Sequence, residues 1–252
     1  MPMYPEMVWL DLDDTLFDHS YSVARGLECI QRQYPAFAGH HVDELVRLYN
    51  IALNEVYPHF LSGTIDFQEL RRRKLIRFCE LASIARADAR DTAAFHPPYD
   101  AAYNRERRAV PGSLNAVRTL QEQGVEVAVL TNGISRTQQE KLRAIGFEFL
   151  VPHLLPSEEA GFSKPDARIF EWALGRTRKK RHEVVMIGDN PVNDIEGALA
   201  AGIRAIYYDP HSKERSFITR YGSALAFADW NDLPRILEQI DPASHSREAF
   251  AR

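Results

Sequence analysis

Three short apolar runs, each ending abruptly on a polar side chain, constrain this chain more than any other feature. Val8-Trp9-Leu10 runs into Asp11, Val125-Glu126-Val127-Ala128-Val129-Leu130 into Thr131, and Val184-Val185-Met186-Ile187-Gly188 into Asp189. Runs this short and this rich in β-branched residues predict strands buried on both faces, the pattern of a parallel sheet. A further run, Ile203 to Tyr208 behind Gly202, predicts another strand. Helical periodicities separate them. Leu114, Val117 and Leu120 follow Pro111-Gly112; a polar-faced helix spans Ser135 to Ile145 and stops at Gly146. Two more run from Asp166 to Leu174, stopped by Gly175, and from Asn193 to Ala201, ahead of Gly202. The alternation predicts an α/β fold with a doubly wound parallel-sheet (Rossmann-like) core.

Residues 18–107 break that rhythm, with no convincing strand among them. Val42, Leu45, Val46, Tyr49, Leu53 and Val56 form one helical stripe. Asp66 and Glu69 read as a capping box opening a helix through Phe78 and Leu81. The expectation is an all-helical domain, 18–107, inserted after the first strand of a core made of 1–17 and 108–252. A length of 252 residues suits one domain plus such an insert. The chain after Asp241 is expected to fray.

Composition narrows the function classes. With 45% apolar and 26% charged residues the chain is an ordinary globular protein, and a net charge of −4 provides no basic field for nucleic acid. The runs Arg71-Arg72-Arg73-Lys74 and Arg178-Lys179-Lys180-Arg181 read as solvated surface. His40-His41 and His96 lack the spacing of a zinc site, and Phe17, Tyr49, Tyr57 and Phe60 read as packing aromatics. Two cysteines, Cys29 and Cys79, with no apolar run approaching a membrane span, lead to the expectation of a cytoplasmic chain with no membrane partner.

Ligands of an open parallel sheet bind at the carboxyl ends of its strands, where Asp11, Thr131 and Asp189 would all lie. Buried carboxylates there need compensation, and two from separate strands suggest a shared cation, with oxygen ligands favouring magnesium. Asp11 and Asp13 are spaced so that one can act as nucleophile and the other as proton donor and acceptor. Lys164, in Ser163-Lys164-Pro165, offers a compact positive charge for oxyanions, and the turn after Thr131, Asn132-Gly133, offers backbone amides.

Asp11-Leu12-Asp13-Asp14-Thr15-Leu16, Thr131-Asn132-Gly133, Lys164-Pro165 and Gly188-Asp189-Asn190-Pro191-Val192-Asn193-Asp194 resemble, in order, the four motifs of the haloacid dehalogenase superfamily. The helical insert falls where that family places its cap. The resemblance implies that Asp11 attacks phosphorus to form an aspartyl phosphate and that Asp13 protonates the leaving oxygen and then activates water. It implies Mg2+ held by the side chains of Asp11 and Asp189 and the main-chain carbonyl of Asp13, with Thr131, Asn132 and Lys164 on phosphoryl oxygens. Asp194 and Asn190 would stand behind these, Asp194 orienting a metal water or Lys164. Asp194 can equally be read as a first-turn acid of the following helix. Carbon-attacking dehalogenases of the family lack the second aspartate, so Asp13 favours a phosphatase. The stretch Ser157 to Pro165, with Thr131-Asn132-Gly133 and Gln138-Gln139, looks like the family's bacterial nucleoside 5′-monophosphatases. A small-molecule phosphomonoester is the implied partner. Phosphoglycolate or sugar-phosphate phosphatases remain the alternative, then a 2-haloacid dehalogenase or a non-catalytic interaction protein.

Overall fold

The computed structural model describes residues 4–84 and 92–240. It divides into two compact units, Met1–Phe17 with Ala109–Arg252, and Asp18–Arg108. The expected fraying after Asp241 lies outside the described residues.

The unit Asp18–Arg108 carries α1 (His19–Gln33), α2 (Val42–Leu61), α3 (Phe67–Leu81) and α4 (Thr92–Arg105). Asp66 caps α3 by accepting from the Glu69 amide at 2.8 Å, half of the predicted capping box. The buried stripe of α2 is Leu45, Leu48, Tyr49, Ala52 and Val56; Leu53 is only half-buried. Leu45, Leu48, Tyr49 and Ala52 pack with Val23, Leu27, Phe37, Phe78 and Phe95 into one core. Each such large side chain contributes about 1.5–3 kcal/mol when buried. Cys79 is part of that core, and burial pushes its thiol up to about 12, so it stays unreactive. Arg71 pairs with Asp100, and Arg72 and Arg73 both pair with Glu69.

The other unit is a seven-stranded sheet of β1 (Met7–Leu10), β2 (Glu126–Thr131), β3 (His153–Pro156), β4 (Val184–Gly188), β5 (Arg204–Tyr208), β6 (Ser216–Thr219) and β7 (Gly222–Phe227). The order is β3-β2-β1-β4-β5-β7-β6, parallel except for the antiparallel β6–β7 pair at one edge. α5 (Ser113–Glu122), α6 (Ser135–Ala144), α7 (Ser157–Ala160), α8 (Ala167–Thr177), α9 (Gly197–Ala200) and α10 (Leu233–Leu237) connect or follow the strands. The α/β expectation therefore holds. β1, β2 and β4, the three strands read from their apolar runs, form the centre. Leu10 lies opposite Val129 on one side and Ile187 on the other, so β4 ends one residue and β2 two residues beyond β1.

Three local expectations differ from the structure. Gly175 does not stop α8, which continues to Thr177 and turns at Arg178, a left-handed residue with φ 55°. Thr177 caps from within by donating to the Ala173 carbonyl at 2.8 Å. The predicted helix from Asn193 is a π-helical turn, Pro191–Glu196, continued by α9; Asn190 caps it by accepting from the Val192 and Asn193 amides. Pro191 then occupies the first helical position, where its missing N–H costs nothing. The strands β3, β6 and β7 were not expected at all. Arg178-Lys179-Lys180-Arg181 is a paired surface turn: Lys179 meets Glu6 and Glu126, and Arg181 meets Glu171. No described helix is long and apolar enough to cross a membrane.

Candidate active site

The connection from β3 to β4 crosses back over β1, so β1 and β4 flank the switch point of the sheet. That is where a crevice opens at the strand ends. Asp11 follows β1 and Asp189 follows β4, and Asp194 lies on the π-helical turn behind them. One carboxylate oxygen from each comes within 4.8 Å of the others, an arrangement able to hold a metal ion.

Lys164 links this cluster. Its ammonium, almost fully buried, donates to Asp11 Oδ1 at 2.6 Å, Asp194 Oδ1 at 2.6 Å and the Leu130 carbonyl at 2.8 Å. All three N–H groups are thereby used. Burial alone would depress this lysine, but the two carboxylates outweigh it and hold Lys164 above the ordinary lysine range. Burial raises Asp11 to about 7, with Lys164 pulling it down and Asp194 and Asp13 pushing it up. Asp189 is held well above the usual carboxylate range by burial, then by Asp11 and Asp194. Its Oδ1 accepts from the Thr15 hydroxyl at 2.9 Å, while its amide donates to Thr15 Oγ at 3.0 Å. Among the described residues, then, three carboxylates cluster about one ammonium that touches two of them, an arrangement that could hold a further cation.

Asp194 serves two ends at once. Besides Lys164 it accepts from the Asn190 amide at 3.0 Å, so Asn190 offers it main chain while its own side chain caps the turn. Both readings of Asp194, lysine partner and first-turn acid, describe the same residue. Its place depends on Gly188, where a Cβ would lie 2.2 Å from Asp194 Oδ2. Gly188→Ala is therefore expected to lower thermal stability by about 1–3 kcal/mol through overpacking. Gly175, with nothing within 4 Å of its position, supplies the control: Gly175→Ala inside α8 should raise the melting temperature. Equal melting temperatures for the two variants would contradict this packing.

The loop after β2 is committed more tightly than its sequence suggested. Thr131 Oγ accepts from Gln138 Nε2 at 2.8 Å, which leaves its own O–H to donate elsewhere. The Asn132 side chain is spent on the main chain of Lys164: Nδ2 donates to its carbonyl at 3.0 Å, and Oδ1 accepts from its amide at 2.8 Å. The Gly133 amide, expected to face an oxyanion, donates instead to Ser157 Oγ at 2.9 Å. Asn132 and Ser157 thus tie the ends of β2 and β3 to the loop that carries Lys164.

Asp13 stands apart from the acidic cluster. Both of its carboxylate oxygens accept from Lys141 Nζ, at 2.6 and 2.7 Å, and Gln138 Nε2 lies 3.5 Å from one of them. Thr15, Gln138, Lys141 and Ser157 were not singled out as site residues from the sequence. Gln138 and Lys141 sit three apart on α6, whose exposed residues are equally polar, so no apolar pattern marks the buried face.

A family model described as haloacid dehalogenase-like hydrolase matches residues 6–202. Among curated relatives, the ribulose-1,5-bisphosphate 5-phosphatase of Halopiger xanaduensis is 38% identical over 120 residues, 48% of this chain and 50% of that protein. The chain thus aligns with about half the length of this relative. The pyrimidine 5′-nucleotidase YjjG of Escherichia coli is 25% identical over 214 residues, 83% of this chain and 88% of its own. Among solved structures, the HAD-hydrolase YfnB of Bacillus subtilis, determined bound to magnesium, superposes with a TM-score of 0.72 at 22% identity. That match covers 93% of this chain and 99% of YfnB.

Proposed function

This chain belongs to the haloacid dehalogenase-like hydrolases, and on that premise we propose that it is a magnesium-dependent phosphomonoesterase acting through an aspartyl phosphate, with nucleoside 5′-monophosphates as substrates. One observation carries the reading: each acid of the Asp11-Leu12-Asp13 pair has its own lysine, Lys164 for Asp11 and Lys141 for Asp13. Two carboxylates so differently placed can divide nucleophile from proton carrier.

In the first step an Asp11 oxygen bonds to phosphorus. The bond from phosphorus to the leaving oxygen breaks, its electron pair stays on that oxygen, and Asp13 supplies the proton. In the second step a water gives its proton to Asp13 and attacks phosphorus. The bond from phosphorus to Asp11 then breaks, releasing phosphate and the free carboxylate. The Thr131 hydroxyl and the Asn132 main-chain amide would meet phosphoryl oxygens. Lys164 has no spare N–H, so it reaches a phosphoryl oxygen by giving up its bond to Asp11 as Asp11 turns to attack. The Asp11 and Asp189 side chains and the Asp13 main-chain carbonyl suit magnesium, a hard cation that would neutralise charge on the transferring phosphoryl group. Similarity to YjjG over most of both chains favours nucleotides over the sugar bisphosphate of the half-length relative.

Phosphate release from nucleoside monophosphates, sugar phosphates and phosphoglycolate, with magnesium and with chelator, tests the reading. Metal-dependent release concentrated on nucleoside monophosphates is expected. Release spread over the panel would retain the chemistry and withdraw the nucleotide assignment, and no release would overturn both. Metal binding has its own readout. Asp11, raised to about 7, and Asp189, raised well above the usual carboxylate range by burial, favour bound protons that a cation must displace. Magnesium should therefore raise the melting temperature at pH 8, and this gain should shrink steadily toward pH 5.

A further inference from the structure

The reaction above gives Lys141 no step of its own, although it pairs with Asp13. Lys141 is 8% exposed at its side chain, a rare place for lysine, and it faces neither the acidic cluster nor solvent. Its ammonium grips both oxygens of Asp13 and lies 5.4 Å from the centre of the Phe17 ring, so its stem and head are held on two sides. Gln138, one turn earlier on α6, spans from Asp13 to the Thr131 hydroxyl and the Asn132 carbonyl. Gly133 keeps that amide in place: a Cβ there would lie 3.0 Å from Gln138 Nε2.

We propose that Lys141 is a positioning residue for Asp13: it holds the ionised carboxylate by both oxygens, the form that takes the proton from water, and keeps hold of one oxygen while the other carries the leaving-group proton, in register with Thr131 through Gln138. This rests on the phosphatase reading and deepens it. Asp13 sits on a turn between β1 and the Asp14 reversal, where φ is 59°, so its carboxyl needs an anchor from another element to hold one orientation. A lysine supplies charge and direction, whereas the Asp11 side is anchored by a different lysine. The proton carrier and the nucleophile are therefore oriented independently, from α6 and from the loop before α8.

The consequence is a dependence on the leaving group. An alkyl oxygen departs poorly without a proton, whereas 4-nitrophenolate departs without one. With enzyme in excess over substrate, Lys141→Met should slow alcohol release from an alkyl phosphate in the first turnover on the order of 100-fold, the lower range of general acid–base catalysis. In the same single-turnover assay it should leave 4-nitrophenolate release within about threefold of the wild type, since that step makes little use of the proton. Asp13→Asn calibrates the single-turnover assay by showing the same selectivity in leaving-group release, and in its background Lys141→Met should cost nothing further in that step. Equal losses on both esters in a folded Lys141→Met protein would overturn the positioning role while leaving the phosphatase reading intact. An Asp13→Asn protein with no leaving-group dependence would instead remove Asp13 as proton carrier, and the proposal with it. Should Lys141→Met not fold, Lys141→Gln and Lys141→Arg are read by the same ratio, with recovery of the alkyl rate in Lys141→Arg expected and equal losses again overturning the role.

Discussion

Asp11→Asn is expected to stop phosphate release, with the rate falling on the order of 10^5-fold, the scale on which removing a covalent nucleophile acts. The amide keeps the shape of the carboxylate but cannot attack phosphorus. The fold should tolerate the change. Asp11 is costly to keep ionised where it lies, as its rise to about 7 records, and a neutral isostere removes that cost. Lys164 would retain Asp194 and the Leu130 carbonyl. A melting temperature close to that of the wild type, together with lost turnover, is the expected pair of results. Rapid quenching of the wild type during turnover should show a chain heavier by one phosphoryl group, absent from the variant. Undiminished release by Asp11→Asn would place the nucleophile elsewhere.

Lys164→Met should damage both fold and turnover. It deletes the ammonium that joins Asp11 to Asp194, and leaves those carboxylates and Asp189 clustered in the interior with no cation in contact. Breaking a buried pair from one side costs about 3–5 kcal/mol. For a chain of this size that corresponds to a melting temperature lower by roughly 10 °C. Adding Asp194→Asn removes one of the stranded charges, so the double variant should regain part of the stability and none of the turnover. If both variants melt alike, Asp194 and Lys164 do not act as a pair.

The strands that carry the site were legible because a strand buried on both faces must be apolar throughout, and its polar end then stands out. β1 and β4, buried at every position, show this most plainly. The strands β3 and β6, unlike β1, are not buried throughout, and β7 is largely glycine, serine and alanine, so no continuous apolar run marked them. Asp11, Thr131 and Asp189 could be picked out because each follows or closes a recognisable strand, and Lys164 and Asp194 because the motifs that hold them resemble those of the family. Lys141 could not, since a lysine on a polar helix looks the same whether it faces water or a carboxylate.

Which polar groups end strands depends only on local spacing along the chain, and can be read there. Which strands lie side by side is a tertiary matter. The order β2-β1-β4 sets Lys164 on Asp11 across 153 residues of chain and Lys141 on Asp13 across 128. The same packing excludes water around Lys164, Asp11 and Lys141. Coulomb forces strengthen as the surroundings lose water, so the raised Asp11, the shared ammonium and the separate anchoring of Asp13 exist only once the strands have assembled.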